Sequence, residues 1–275
     1  MEKLKINYHL TQACNFGCKF CFAKYEKEQV GFEDQKAVIK NIASSGIFDS
    51  INFAGGEPLL VKKLPDLIQY AADLGLKVAV ITNGYLLSDR ILEAIVPNLE
   101  MLGISCHSFD EKTKIEIGSC TKSGKTLSNE RLGEICAKVH EFNLAGKSNC
   151  RIKINSVICK PNVNENLKSG IESLKYVQRW KGLRCQEFGT NQNMLVSDAE
   201  FHLFKRMNSN GVINQVFEND MKDTYIMINP AGKLIKESVD GLGYTIVGSS
   251  LEEPMTALMA RYNLKFDIYK ERYIA

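Results

Sequence analysis

Segments of strand character alternate with segments of helix character from the N-terminus to about residue 186, and that alternation limits the fold more than any other feature. Leu4 to Leu10 reads as a strand, with Lys5, Asn7 and His9 on one face and Leu4, Ile6, Tyr8 and Leu10 on the other. Glu33 to Ser45 has helical apolar spacing and is stopped by Gly46. A strand from Ser50 to Phe53 then runs into the turn Gly55-Gly56-Glu57-Pro58. Further strands are predicted at Lys77–Thr82, Met101–Cys106, Arg151–Ile158 and Arg179–Gln186. The intervening helices are predicted at Leu64–Leu74, Ser88–Val96, Asn129–Phe142 and Leu167–Tyr176. Repeated β/α units predict parallel strands with right-handed crossovers. The expected fold is α/β, a partial (β/α)6 barrel over residues 1–195, with a doubly wound open sheet as the competing topology. Past Ser197 the pattern changes. A helix at Asp198–Asn208 precedes strands at Thr224–Asn229 and Lys233–Glu237 around the hairpin signal Pro230-Ala231-Gly232, and the tail from Leu251 is helical. Residues 196–275 are therefore expected to form a C-terminal extension covering the barrel mouth.

Nine cysteines, an odd count, and no signal-peptide pattern argue for a reducing, cytoplasmic setting and against a disulfide framework. Three of them fall together, Cys14-x-x-x-Cys18-x-x-Cys21. Three thiolates on one loop can hold three irons of a cubane [4Fe-4S] cluster and leave the fourth iron open to a ligand, whereas a structural zinc site usually takes four ligands. A zinc knuckle or a reduced structural set of thiols is the plainer alternative. The other six are expected in the core. A net charge of +3 is too small to argue for nucleic acid, and no apolar run approaches the ~20 residues of a membrane span. The N-terminus is expected to enter the first strand at once, without a preceding membrane-binding helix.

A second polar pattern lies on the later strands. In Arg151-Ile152-Lys153-Ile154-Asn155-Ser156-Val157-Ile158 the two-residue period puts Arg151, Lys153 and Asn155 opposite the isoleucines, and Arg179 and Lys181 repeat the spacing with Trp180 opposite. The isoleucines are expected to meet the helices, so the cations face inward, where unpaired charge costs several kcal/mol. Glu187 is the nearest acid in sequence able to balance them; a polyphosphate fits several converging cations better. Rim residues in solvent are the plainer reading. Lys122, Lys125 and Lys147 are expected in solvated loops, and His107, which could act as an acid or base, is expected to be a satisfied structural histidine at a strand end.

Together, Asn7-Tyr8-His9-Leu10-Thr11, the cysteine triplet, Ile51-Asn52-Phe53-Ala54-Gly55-Gly56-Glu57-Pro58, Ile104-Ser105-Cys106-His107-Ser108-Phe109-Asp110-Glu111, Lys153-Ile154-Asn155-Ser156-Val157-Ile158, Arg179-Trp180-Lys181 and Met221-Lys222-Asp223-Thr224-Tyr225 resemble the viperin-like radical S-adenosylmethionine (SAM) nucleotide dehydratases. The likeness runs, with gaps, from Asn7 to about Ile228. It implies a [4Fe-4S] cluster on Cys14, Cys18 and Cys21, and SAM held by Gly55, Gly56 and Glu57 with Thr82, Asn83 and Ser105; strand-end capping is the plainer role for these last three. It also implies a nucleoside triphosphate gripped by Lys153, Asn155, Arg179 and Lys181, with Asn7 and His9 near base or ribose and Tyr273 as a tail contact. The implied reaction takes hydrogen from ribose C4′, expels the 3′-hydroxyl as water and uses one electron from a donor such as flavodoxin or ferredoxin. Its product is a 3′-deoxy-3′,4′-didehydro nucleotide, an antiviral terminator of RNA chains. CTP is the implied substrate, with UTP or GTP as alternatives.

Three positions depart from the family pattern. Ser50 replaces a phosphate-binding lysine, for which Lys62 or Lys63 is a candidate substitute, His107 replaces an aspartate, and Ser119-Cys120 stands where an arginine is expected to help hold the SAM carboxylate. These bear on the choice of nucleotide more than on reaction class. The competing enzyme reading, a radical SAM peptide maturase, fits less well because no cysteine follows Cys185.

Overall fold

The structure, a computed structural model, describes residues 3–23, 28–188, 191–211, 213–219, 225–238, 243–267 and 269. The elements are β1 (Leu4–His9), α1 (Phe32–Ser44), β2 (Phe48–Ala54), α2 (Leu64–Asp73), β3 (Lys77–Thr82), α3 (Asp89–Ile95), β4 (Met101–Ser105), α4 (Glu111–Ile117), α5 (Asn129–Leu144), β5 (Arg151–Ile158), α6 (Leu167–Ser173), β6 (Val177–Arg184), α7 (Asp198–Asn208), β7 (Asn214–Glu218), β8 (Met227–Ile228), β9 (Lys233–Glu237), β10 (Tyr244–Ser249) and α8 (Met255–Tyr262). By internal contacts the chain divides into two compact units, one of Met1–Ala13, Ala23–Val80 and Met221–Ala275, the other of Cys14–Phe22 and Ile81–Asp220.

In the first unit β1 pairs in parallel with β2, and β2 with β3. Ile6, Tyr8 and Leu10 form the fully buried apolar face with Ile51 and Phe53, and Val38, Ile39 and Ile42 of α1 are as deeply buried. β8 joins β1 on its other side, and the expected hairpin pairs Met227 with Ile235 in antiparallel register. The Asn229 side-chain oxygen accepts from Ala231 N and Lys233 N and fixes that turn. β10 then continues the sheet.

In the second unit β4, β5, β6 and β7 are all parallel. The isoleucine face is buried as expected: Ile152, Ile154, Ile158 and Trp180 are almost wholly inaccessible. Trp180 meets Phe204 of α7 and Phe217 of β7 edge-on, and its indole N–H donates to Ser156 Oγ at 3.0 Å. α7 begins on a capping box, Ser197 with Glu200. β10 in the first unit and β7 in the second each have a strand neighbour on one side only, so both are edge strands.

The sequence reading misses α4, β7 and β10. α4 is only seven residues long, yet its limits were readable: Asp110 caps it by accepting from Thr113 N at 2.8 Å, and Gly118 ends it in the left-handed region. The polar run of β7 gave no alternation to find; Phe217 is its one apolar anchor on the Trp180 side.

Candidate active site

The cysteine loop is held from beneath by the end of α4. Gly17 N donates to Gly118 O at 3.2 Å and to Cys120 O at 3.3 Å, and Lys19 N donates to Ile117 O at 2.9 Å. Gly118 has φ +82°, and a Cβ there would overlap Gly17 O, so only glycine lets the two backbones meet. Phe16 packs on Tyr85 with ring centroids 5.6 Å apart, and Phe20 meets His107 edge-on at 4.7 Å. Cys14 is exposed and Cys18 and Cys21 are half-buried. Burial raises the Cys18 thiol pKa, and the thiols of Cys21, Cys14 and Cys120 add to the rise. Five of the six scattered cysteines are core residues as expected; Cys120 instead is half-buried near Cys18.

Gly55 and Gly56 serve the chain itself. Gly56 N donates to Thr11 O at 2.6 Å and Glu57 N to Ala13 O at 2.8 Å, and a Cβ on Gly56 would overlap the carbonyls of Gln12 and Ala13. The turn thereby fixes the segment that leads into Cys14. Glu57 is fully buried and its carboxylate accepts from Leu59 N at 3.0 Å, capping a short 3-10 turn. Thr82 Oγ1 accepts from Gly84 N, the capping role. Asn83 does more: its carboxamide oxygen accepts from Tyr85 N at 3.0 Å, and its nitrogen donates to Asn15 Oδ1 at 2.7 Å and reaches Cys14 Sγ at 3.9 Å. Ser105 is half-buried opposite Asn155.

The cationic face is real, and one part of its expected balance is corrected. Lys153 pairs across strands with Arg179, and Asn155 with Lys181, so all four share one face of β5–β6. A Cβ on Gly103 would lie 3.3 Å from Lys153 Cε and 3.4 Å from Asn155 Nδ2, which places those side chains over β4. Lys181 and Asn155 are buried, while Lys153 and Arg179 are half-buried. Arg179 Nε is buried and has no hydrogen-bond partner among the described residues. Arg151, at the strand start, is exposed and paired with Glu100 at 2.5 Å. The acid that balances Lys181 is Glu218 of β7, not Glu187; Lys181 and Glu218 form an ion pair with side chains only 7% and 6% exposed. Glu187 accepts from Gln192 instead. Sequence adjacency points to the wrong acid because the polar run of β7 carries no strand periodicity.

On the first unit's polar face Asn52 Nδ2 donates to Asn7 Oδ1 at 2.9 Å, and Asn7 Nδ2 donates to Ile226 O at 3.2 Å. His9 is buried and neutral, its pKa lowered by burial to about 4. Ser50 donates to Asp49 at 2.6 Å. Lys62 and Lys63 are exposed, and Lys63 pairs with Asp66. His107 is also neutral, lowered to about 4 by burial, and its Nδ1 accepts from Val157 N at 3.0 Å, a structural post under Phe20. Lys122, Lys125 and Lys147 are exposed. Tyr273 lies outside the described residues.

The donor set of the loop fits a cluster better than a single ion. No group of three metal-ligating side chains converges on a common point among the described residues. A cubane does not require that, since each thiolate binds its own iron.

Comparison with known proteins fits this geometry. Residues 8–157 match the radical SAM superfamily. The fold resembles that of Streptococcus suis SuiB bound to S-adenosylmethionine, with a TM-score of 0.70 at 16% identity over 98% of this chain and 67% of that one. It also resembles native anSMEcpe with bound AdoMet, with a TM-score of 0.68 at 14% identity over 93% of this chain and 80% of that one. Fold and cysteine loop thus define a radical SAM enzyme. An S-adenosylmethionine-dependent nucleotide dehydratase of Selenomonas ruminantium is 35% identical over 98% of both chains, and one of Pseudoalteromonas ulvae is 30% identical over 99% of this chain and 94% of its own. The Oncorhynchus mykiss relative, 32% identical, matches 82% of this chain and 66% of its own length. The chain belongs to the viperin-like radical SAM nucleotide dehydratases, and its cofactors are a [4Fe-4S] cluster and SAM. No helix among the described residues is long and apolar enough to cross a membrane.

Proposed function

We propose that this enzyme dehydrates a ribonucleoside triphosphate, CTP first among the candidates and UTP or GTP next, to its 3′-deoxy-3′,4′-didehydro analogue, a terminator of viral RNA chains. The observation that carries this reading is the face of Lys153, Asn155, Arg179 and Lys181, where a buried Arg179 Nε lacks an acceptor among the described residues. A buried donor without a partner costs about 1–3 kcal/mol, and a phosphate oxygen relieves that cost. The relatives' name supports a nucleotide as the anion.

Cys14, Cys18 and Cys21 would hold the cluster, and Gly55, Gly56 and Glu57 would set the backbone that receives SAM, with Thr82, Asn83 and Ser105 at the strand ends. When bound, cluster and SAM together supply a 5′-deoxyadenosyl radical. Lys153, Arg179 and Lys181 grip the triphosphate through charge-assisted hydrogen bonds, and Asn155 orients it. Asn7 and His9 are the candidate contacts to base or ribose, and neutral His9 offers a hydrogen bond without a charge. A flavodoxin or ferredoxin is the candidate electron donor, and residues 196–275 the candidate cover of the mouth.

Anaerobic reconstitution with SAM, a reductant and CTP, UTP, GTP and ATP in competition tests the proposal. One triphosphate is expected to raise 5′-deoxyadenosine formation and to yield the didehydro nucleotide by mass spectrometry. SAM cleavage at the same rate with every triphosphate, and no such product, would refute it.

A further inference from the structure

The acid on the cationic face needs its own account. Glu218 stands opposite Leu183, one row beyond Lys181 toward the C-terminal ends of the strands, and pairs with Lys181 where both side chains are nearly inaccessible. A carboxylate beside a polyanion site weakens anion binding by repulsion, so its presence there calls for an offsetting use. We propose that Glu218 is a positioning residue and internal competitor: it holds the Lys181 ammonium extended across β6–β7, and substrate phosphate must share that ammonium with it. This rests on the reading of the face as a triphosphate site and adds what regulates its grip.

The chemistry gives the competition a purpose. Dehydration alters the sugar and leaves the triphosphate intact, so phosphate contacts hold substrate and product alike and do not by themselves favour turnover. An acid that tempers those contacts favours product release. Ordering Lys181 in advance also removes side-chain freedom that binding would otherwise have to remove.

The test uses inorganic tripolyphosphate, which carries neither base nor sugar, and calorimetry on the cluster-loaded protein. Glu218→Gln is expected to bind it about five-fold more tightly than wild type and with a steeper salt dependence, because Lys181 is released to the ligand. Lys181→Met is expected to bind more weakly, and in that background Glu218→Gln changes affinity by less than about two-fold. Glu218→Asp, which withdraws the carboxylate by one methylene, serves if the glutamine variant does not fold, and is expected to tighten binding by about two-fold. A purely structural Glu218 predicts weaker binding in both Glu218 variants, and that result overturns the inference. So does an equal gain with and without Lys181, or a wild-type protein that binds no tripolyphosphate. A correct double-mutant cycle in an enzyme that makes no didehydro nucleotide sinks the dehydratase reading and leaves this inference standing.

Discussion

Two histidines show how burial sets chemistry one residue at a time. His9 and His107 both have pKa values lowered from 6.5 to about 4 by burial. Between those values the unfolded chain binds a proton at each site and the folded chain does not, so stability falls as pH drops from 6.5 toward 4 and is unaffected above it. Each histidine contributes up to about 1.4 kcal/mol per pH unit across that window. For His107→Gln, whose amide oxygen can still accept from Val157 N, urea unfolding of the cluster-free protein is expected to show a slope reduced by about one proton. An unchanged slope would mean that His107 titrates normally. The sequence alone made His107 a structural candidate, and the hydrogen bond to Val157 explains why. It did not reveal Cys120 beside Cys18, because that proximity comes from Gly118 turning the chain back under the loop.

At the scale of elements, the cysteine triplet is set by a partner that the sequence hid. The end of α4 supplies the carbonyls of Ile117, Gly118 and Cys120 to the loop, so this segment works as a clamp on Gly17 and Lys19. Gly118→Ala adds both left-handed strain, about 1 kcal/mol, and an overlap with Gly17 O. Gly124 at φ +76° carries the same strain with nothing near its missing Cβ, which makes Gly124→Ala the matched control. Reconstituted iron per chain is expected to fall in Gly118→Ala and to stay at the wild-type level in Gly124→Ala. Equal iron in both would remove the clamp. The β5 and β6 faces were legible, since a two-residue period separates Ile152, Ile154 and Trp180 from Lys153, Asn155 and Lys181 without reference to neighbours. Their counter-ion was not legible, because it depends on β7 register and lies thirty-seven residues from Lys181.

For the whole molecule, the order of β/α units and the function class were readable because local period and short motifs carry them; the elements of the structure bear out the first and the relatives of the chain the second. Contacts between segments far apart in sequence, which no local period carries, group the C-terminal strands with the first strands and the cysteine loop with the later ones. On the proposed reading, cofactor-handling and anion-handling groups are distinct side chains that separate variants address one at a time. Gly56→Ala overlaps the carbonyls of Gln12 and Ala13 and is expected to weaken SAM binding and cleavage while CTP affinity stays within about two-fold of wild type. Lys153→Ala removes one of three cations and is expected to weaken CTP binding about ten-fold or more, with wild-type iron content and SAM affinity. Calorimetry with each ligand, read beside iron content, distinguishes the two patterns. If Lys153→Ala binds CTP as the wild type does, phosphate recognition does not occur on this face, and the charge that β5 and β6 hold there must serve the fold alone.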